Sequence, residues 1–275
     1  MRVGRGVVSR LLHVGGEPVV VRAWQRRDGR VAFQASAPAP GGRDRLETAI
    51  DRMRFALGVD DDYRELYDAF RSDRLLGAAI RRHRHHRPRR RPWPWEALAW
   101  SIIKQLIESS RAAEIQRRIV LRWGRRSEGP DGATLRDVPA PELIAGRAPA
   151  ELAAMDLAPA RALALIRAAR EVVAGRADPA DPADDRRLLA IREIGPWTVQ
   201  CLGLYGRGEP DSLPAGDLSF IKLVGRLAGL NRRATVEEVE EFFAPYAPYR
   251  GLAGSFILAA NYRTVGAGPP LRIAA

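Results

Sequence analysis

The chain has 275 residues, of which 46% are hydrophobic and 28% charged, so it can bury the core of one large domain or two smaller ones. Its net charge of +12 favours a polyanionic partner, nucleic acid or a membrane surface, over the alternative of a cationic enzyme without one. The single cysteine, Cys201, excludes an internal disulfide, a zinc cage and a cysteine-ligated iron–sulfur cluster.

Two sequence features bear on membranes and location. No apolar run approaches the ~20 residues that cross a bilayer. The N-terminal stretch MRVGRGVVSRLL lacks the apolar core and cleavage site of a signal peptide. We therefore expect a cytoplasmic protein with no membrane partner.

The first 40 residues have a β-strand composition. VVVRAW (19–24) and VAFQA (31–35) flank an Asp28-Gly29 pair that suits a tight hairpin turn. VVSRLLHV (7–14), which ends before Gly15-Gly16, is a third predicted strand. These patterns predict a small antiparallel sheet, which we assign to an N-terminal domain over residues 1–60.

From Leu46 onward the pattern is helical. ELYDAFRSDRLLGAAIRR places Leu66, Phe70 and either Leu75 or Leu76 near one helix face. The prolines of HRHHRPRRRPWPW (83–95) then break any helix. We interpret this basic stretch as a solvated or phosphate-facing loop rather than a metal site, because its histidines have no acid or cysteine nearby.

The clearest helical pattern is EALAWSIIKQLIESSRAAEIQRRIVLRW (96–123). Leu98, Ile102, Leu106 and Ile107 follow the spacing of one helix face. APARALALIRAAREVV (158–173) predicts a further helix, and the proline-rich acidic stretch DPADPADD predicts a loop after it.

DRRLLAIREIG (185–195) predicts a short helix that stops before Gly195, where a glycine allows positive φ. Pro196 suits the first position of a second helix, which Gly206 can end. The free N–H groups at the start of that second helix attract an anion. The segment therefore predicts a helix, a tight turn and a helix that can bind a phosphate.

Asp217 directly precedes the apolar pattern of LSFIKLVGRL, in which Leu218, Ile221, Val224 and Leu227 are spaced for burial. This position predicts a helix N-cap, worth about 1 kcal/mol. The helix dipole there favours the ionised carboxylate, which can stabilise a positive charge or deprotonate water. Capping and catalysis are compatible, and the pattern alone favours the cap.

LLAIREIGPWTVQCLGLYGRGEPDSLPAGD resembles the helix-hairpin-helix and downstream Pro–Asp segment of the helix-hairpin-helix DNA glycosylases, with bacterial 3-methyladenine DNA glycosylase II as the most similar branch. FRSDRLLGAAIRRHRHHRPRRRPWPWEALAWSIIKQLI, MDLAPARALALIRAA and APYRGLAGSFILAANY resemble further segments of that branch in the same order. The resemblance implies an α+β, mostly α fold. A small N-terminal antiparallel sheet would precede a bilobal all-α core over residues 61–275, with the hairpin at about 186–206.

The resemblance also implies an activity and a site. A monofunctional glycosylase of this kind flips alkylated purines such as 3-methyladenine out of duplex DNA and excises them in base excision repair, without a metal or cofactor. The family's catalytic aspartate falls on Asp217 and its apolar wedge on Leu106, with an ordinary core leucine as the alternative for Leu106. The partner implied is damaged double-stranded DNA, bound by a monomer, and the implied DNA contacts are Gln105, Leu106, Glu193, Ile194, Gly195, Trp197 and Thr198.

The sequence also departs from the family pattern. The hairpin reads Arg192-Glu193-Ile194-Gly195 where Pro-Gly-aliphatic-Gly is usual, which puts a carboxylate near the expected phosphate. In the implied base pocket, Cys201 and Leu258 replace aromatic residues, and Trp197 remains for stacking. Trp197 also stands where bifunctional relatives carry a lysine nucleophile, so no lyase activity is expected. A non-catalytic damage-recognition protein and a glycosylase for another lesion, such as hypoxanthine, remain as alternatives.

Overall fold

A computed structural model describes residues 2–4, 6–38 and 42–261. The predicted α+β, mostly helical fold is confirmed. Residues 262–275, which end the predicted helical domain, lie outside the described residues. Within the described part, no helix is both long and apolar enough to span a membrane.

The N-terminal sheet is antiparallel, with its strands in chain order. The three predicted strands are present, and a short first strand that was not predicted pairs with the second. The strands are β1 (Arg2–Gly4), β2 (Val7–Val14), β3 (Glu17–Gln25) and β4 (Val31–Ser36).

Helices and one small hairpin make up the rest of the described chain. The strands of the hairpin are β5 (Arg126–Glu128) and β6 (Thr134–Arg136). The helices are α1 (Arg43–Leu57), α2 (Arg64–Phe70), α3 (Leu76–Arg82), α4 (Pro94–Lys104), α5 (Ser109–Trp123), α6 (Pro141–Ala145), α7 (Pro149–Ala153), α8 (Pro159–Val173), α9 (Asp185–Leu189), α10 (Pro196–Leu202), α11 (Leu218–Leu227), α12 (Val236–Phe243) and α13 (Arg250–Ala260). A π-helical turn (Gly203–Arg207) extends α10, and 3-10 turns lie at Pro182–Asp184 and Ala244–Tyr246.

Two separate hydrophobic cores divide the helical part into two lobes. The first lobe is built on α4, α5, α8 and α10, around side chains such as Ile102, Leu165 and Leu202. The second is built on α2, α3 and α11 to α13, around Phe243 and Phe256. The chain passes from the first lobe to the second between α10 and α11, so residues on this crossing lie at the junction of the lobes.

Both faces of the four-stranded sheet pack against other elements. Leu12 and Val19 are fully buried on one face against Met53 of α1. Leu11 and Val20 form a smaller cluster with Leu135 of β6 on the other face. The sheet is therefore held between α1 and the first lobe.

Buried charges also tie the sheet to the first lobe. Arg10 of β2 hydrogen-bonds Glu96 of α4, which is 2% exposed and also accepts from the Trp100 indole at 3.1 Å. His13 contacts Asp137 at 2.8 Å between Nδ1 and Oδ2. These bonds fix the sheet against the start of α4, which carries site residues at its other end.

The basic stretch 83–95, predicted as a solvated or phosphate-facing loop, is only partly solvated. The His86 ring packs on Phe256 with a centroid distance of 5.1 Å, and its Nε2 lies 2.7 Å from Ser255 Oγ. Arg87 stacks over Tyr63 at 4.6 Å. Burial, helped by neighbouring positive charge, lowers the pKa of His86 to about 4. His86 and Arg87 therefore pack on the second lobe, whereas Arg84, His85 and Arg89 remain exposed to solvent.

Two predicted helical segments are each broken in two. The segment 65–82 divides between α2 and α3, because the Asp73 side chain accepts from the N–H groups of Leu75 and Leu76 and starts a new helix. The segment 96–123 divides into α4 and α5 around residues 105–108. The second break lies at the candidate site.

Candidate active site and nucleic-acid interface

The predicted helix–turn–helix is α9, residues 190–195 and α10. Pro196 is the first residue of α10, as predicted. The prediction for Gly195 was wrong: its φ of −106° and ψ of 179° are extended. Glu193, with φ of 75°, is the left-handed residue of the turn. A side chain at such a φ costs on the order of 1 kcal/mol, so this turn carries strain that a glycine would relieve.

The main-chain N–H groups of the turn divide into two sets. Those of Ile194 and Thr198 donate to Ile191 and Gly195, each at 3.0 Å, and both residues are buried. They therefore build the turn. Among the described residues, the N–H groups of Gly195 and Trp197 have no hydrogen-bond partner. The N–H groups of Arg192 and Glu193 also have no partner in the described part of the chain. Those of Gly195 and Trp197 are the free donors at the start of α10, where a helix can bind an anion.

Leu106 lies in the break between α4 and α5, which we call the wedge loop (residues 105–108). The prediction that Leu106 belongs to a buried helix face was wrong, because its side chain is 100% exposed and its φ is 55°. The alternative of a core leucine is excluded with it. A fully exposed leucine held at positive φ carries both a hydration cost and backbone strain, a combination often found at functional sites.

Gln105 fastens the wedge loop to the turn. Its side-chain amide donates to the Glu193 carbonyl at 2.7 Å and to Thr198 Oγ1 at 2.8 Å. The Arg161 guanidinium of α8 donates to the Gln105 carbonyl. The predicted DNA contacts Gln105, Glu193 and Thr198 are therefore bonded to one another and set the position of Leu106 relative to the turn.

Asp217 is the N-cap of α11, as predicted. Its Oδ1 accepts from the Ser219 N–H at 2.9 Å, and its own N–H donates to the Pro214 carbonyl at 2.8 Å. Leu218 is 47% exposed, so the prediction that it is buried was wrong. The carboxylate is thus held rigidly at the junction of the lobes, beside an apolar side chain that remains open to solvent.

Groups from the first lobe surround Asp217. Burial and the charge of Asp217 raise the pKa of the Cys201 thiol to about 12, against opposing effects of Lys104 and Ser101. Burial also raises the pKa of the Tyr205 hydroxyl, with Cys201 and Asp217 adding to the effect. The charge effects indicate that Cys201 lies near Asp217 and Lys104, and that Tyr205 lies near Cys201 and Asp217, at the junction of the lobes, which we call the interlobe cleft.

Trp197 forms a wall beside this cleft. A Cβ atom on Gly216 would lie 3.6 Å from Trp197 Cβ and 3.7 Å from Cδ1, so the indole packs directly against the residue before Asp217. Its Nε1–H is buried and has no partner in the part of the chain that the structure describes. Of the predicted pocket residues, Trp197 and Cys201 lie with Asp217, whereas Leu258 is half-buried on α13 and packs against the second core.

Lys104 and Tyr205, which lie near Cys201, were not predicted from the sequence. One signal was present for Lys104, because this arginine-rich chain uses lysine only at positions 104 and 222. No sequence signal marked Tyr205, which lies on the π-helical turn. That turn approaches α4 closely: a Cβ on Gly206 would lie 2.7 Å from Ala97 Cβ. Single π turns inside helices often occur at functional sites.

The chain has two helices joined by a tight turn, and a capped aspartate lies near them where the two lobes meet. These features define the helix-hairpin-helix class of protein. The model of the HhH-GPD superfamily of base excision DNA repair proteins matches residues 99–248, and the chain belongs to this family. The matched region contains the wedge loop, the turn and Asp217.

Curated relatives support the same family. The chain is 27% identical over 233 residues to a probable bifunctional transcriptional activator/DNA repair enzyme AlkA of Mycobacterium tuberculosis, covering 82% of this chain and 45% of that protein. It is 25% identical over 205 residues to the DNA-3-methyladenine glycosylase of Bacillus subtilis, covering 72% of this chain and 67% of that protein. The chain therefore spans about half the length of the first relative and two thirds of the second.

Solved structures share the fold. The 3-methyladenine DNA-glycosylase of Archaeoglobus fulgidus superposes with a TM-score of 0.79 at 21% identity, over 94% of this chain and 89% of that one. The 8-oxoguanine glycosylase/lyase of Clostridium acetobutylicum in complex with DNA gives 0.73 at 16% identity, over 93% of this chain and 88% of that one. Proteins that act on different bases thus share this scaffold, and the substrate has to be argued from the site.

Proposed function

We propose that this protein is a monofunctional DNA glycosylase that acts as a monomer and excises alkylated purines, such as 3-methyladenine, from duplex DNA. The observation that carries the proposal is the placement of Asp217. The cap to Ser219 fixes its carboxylate at the junction of the lobes, opposite Cys201 and beside Trp197. The curated relatives named above as DNA repair enzymes support the reaction class.

The chemistry needs an anion at this place. An alkylated purine is cationic, so the bond between its ring nitrogen and the sugar C1′ breaks with both electrons leaving on the base. The sugar then carries oxocarbenium charge, which the Asp217 carboxylate stabilises across a short distance. Water adds to C1′ and gives up its proton, for which Asp217 is the positioned acceptor. The products are a free base and an abasic site.

The turn and the wedge loop are proposed to position the DNA. The free N–H groups of Gly195 and Trp197 are suited to bind a backbone phosphate. Leu106, exposed and held through Gln105, is suited to enter the space left by the flipped base. Trp197, Cys201 and Leu258 are proposed to line the base pocket. Arginine contacts to phosphate would make affinity fall with salt.

Lyase activity is not expected at the hairpin, because Trp197 has no amine to form a Schiff base. The cleft does contain one other amine, that of Lys104. Borohydride added during turnover traps a covalent protein–DNA adduct if either position supports lyase chemistry. We expect no adduct with the wild-type protein, and an adduct that disappears in a Lys104→Met variant would contradict the monofunctional assignment.

Base release tests the proposal. Duplex DNA treated with dimethyl sulfate is incubated with the protein, and the free bases are separated by chromatography. We expect release of methylated purines, with strands that break only after alkali treatment. Intact binding to the same DNA without any released base would instead support a damage-recognition protein.

A further inference from the structure

Leu106 is held in place by its neighbours in the chain, because its own side chain is 100% exposed. Of the main-chain N–H groups at positions 106–108, one makes a hydrogen bond within the described residues, that of Ile107 to the Lys104 carbonyl at 3.5 Å. This length is at the limit for a hydrogen bond. Contacts from outside the wedge loop therefore maintain the left-handed backbone of Leu106, whose φ is 55°.

One corner of the chain contacts both sides of the wedge loop. The corner joins α7 to α8, and we call it the α8 corner (residues 154–161). On one side of the wedge loop, Arg161 of this corner donates to the Gln105 carbonyl. On the other side, Asp156 of the same corner accepts from Arg111 Nε at 3.1 Å and from its Nη2 at 2.8 Å. The wedge loop is therefore held at both ends by one short segment.

The α8 corner has the hydrogen bonds of a Schellman motif, a common end of a helix. The Asp156 N–H donates to the Ala153 carbonyl at 2.9 Å, and the Leu157 N–H donates to the Leu152 carbonyl at 3.3 Å. Leu152 and Leu157 are both buried, which is frequent in this motif. Asp156 takes the left-handed position of the motif with φ of 72°, where glycine is the usual residue.

The Asp156 carboxylate adds little to the stability of the fold. The Asp156 side chain is 41% exposed and that of Arg111 is 56% exposed. Ion pairs between exposed groups contribute little, and a side chain in left-handed backbone is strained. Glycine would therefore serve the fold as well as aspartate does. The contact that the carboxylate makes, to the start of α5 directly after the wedge loop, gives it a role that glycine could not fill.

We propose that the α8 corner is a clamp that positions Leu106 for entry into DNA, with Arg161 and Asp156 as its positioning residues. The inference rests on the proposed glycosylase function and concerns base flipping, the step before the bond is cleaved. A wedge that is already ordered in the free protein enters the duplex without a further loss of conformational entropy. A loosened wedge loop has to be ordered at each encounter with DNA, so flipping becomes less favourable.

Asp156→Gly separates this role from a structural one. The variant loses the carboxylate and the left-handed strain together, so its unfolding temperature should stay the same or rise. Removing an acid also leaves affinity for undamaged duplex unchanged or higher. We nevertheless expect single-turnover release of methylated purines to fall about three- to fivefold, the effect of one exposed charged contact. Asn231→Gly, between α11 and α12, makes the same backbone change at a φ of 53° and should leave release unchanged.

Arg161→Met tests the other side of the clamp. Release should fall about tenfold, since a charged donor to the Gln105 carbonyl is lost, and Arg161→Lys should recover part of the loss. Arg170→Met is the matched control. Arg170 lies near the other end of α8 and also donates to a main-chain carbonyl, that of Ala145 at 3.1 Å. Its removal should leave release within about twofold of the wild-type rate.

A double-mutant cycle tests whether both residues act through Leu106. With Leu106→Ala there is no wedge side chain to position, so adding Asp156→Gly or Arg161→Met should lower release by less than about twofold more. Equal losses in both backgrounds would overturn the inference, because the corner would then act on something other than the wedge. A lowered unfolding temperature of Asp156→Gly would also overturn it. A loss of affinity for undamaged duplex in Arg161→Met, parallel to the loss of release, would make Arg161 a phosphate contact instead.

Entry of the wedge can also be measured without base release. The fluorescence of 2-aminopurine beside an abasic site in a duplex rises when the base is unstacked. At saturating protein, the wild type should raise it more than Leu106→Ala does, and the two clamp variants should lie close to Leu106→Ala. If this order holds but the wild type releases no methylated purine, the proposed activity fails and the clamp stands. Clamp variants that match the wild-type fluorescence would refute the clamp, whether or not bases are released.

Discussion

Replacing Glu193 with glycine should strengthen DNA binding without harming the fold. Glu193 holds φ of 75° in the turn, and its carboxylate has one salt-bridge contact, to Arg192 Nε at 3.6 Å. The same turn presents the free N–H groups of Gly195 and Trp197, so a phosphate bound there would approach an anion. Glu193→Gly removes the anion and the strained side chain together.

The expected sizes follow from simple electrostatics and backbone strain. Two unit charges ~4–6 Å apart in water repel by roughly 0.7–1 kcal/mol, so removing the carboxylate should tighten binding about three- to fivefold at low salt. The gain should shrink at high salt. Relief of the left-handed strain contributes about 1 kcal/mol to folding, which the greater backbone entropy of glycine offsets in part. We therefore expect stability between unchanged and about 1 kcal/mol higher.

Fluorescence anisotropy with a labelled abasic duplex, at low and high salt, measures the binding effect. Glu193→Gln removes the charge but keeps the side chain and its φ, so it should reproduce the gain in affinity without the gain in stability. Glu128→Gln on β5 removes an exposed carboxylate outside the turn and controls for the change in net charge. If Glu193→Gln binds no more tightly than Glu128→Gln, the turn is not where a phosphate lies.

Three further predictions concern other parts of the molecule. Leu106→Ala should leave the thermal unfolding curve nearly unchanged, since the side chain is fully exposed, yet lower single-turnover base release about tenfold; a variant that unfolds early would contradict the wedge. His86, with a folded pKa of about 4, binds a proton more readily in the unfolded chain, so stability should rise by about 3 kcal/mol between pH ~4 and ~6.5. Urea unfolding across this range should be flatter for His86→Asn, and equal slopes would refute the burial argument. Glu96→Gln should cost about 3 kcal/mol in urea unfolding because Arg10 loses its buried counter-ion, and adding Arg10→Met should recover part of that loss.

Local chemistry made several features predictable from the sequence. Composition rich in β-forming residues and the Asp28-Gly29 pair predicted three of the strands, since strand propensity and turn residues are properties of the segment itself. The cap at Asp217 and the helix start at Pro196 followed from short-range backbone geometry in the same way.

The features that failed depend on distant contacts. Nothing in KQLIE stops a helix, and α4 ends there where Gln105 bonds Glu193 and Arg161 bonds Gln105, across 88 and 56 positions of the chain. The left-handed residue was expected at the glycine, yet the turn requires it two positions earlier. The basic stretch 83–95 was expected as a solvated or phosphate-facing loop, but its His86 and Arg87 pack against Phe256 and Tyr63. In each case the tertiary environment overrides a local preference.

The role of Asp217 is the central claim, and one substitution tests it most directly. Asn is about as good an N-cap as Asp, so Asp217→Asn should keep the bond to Ser219 and an unchanged thermal unfolding curve while removing the negative charge. We predict that single-turnover release of methylated purines falls at least about 100-fold with DNA binding intact. Release within twofold of the wild-type rate would make Asp217 a helix cap and nothing more.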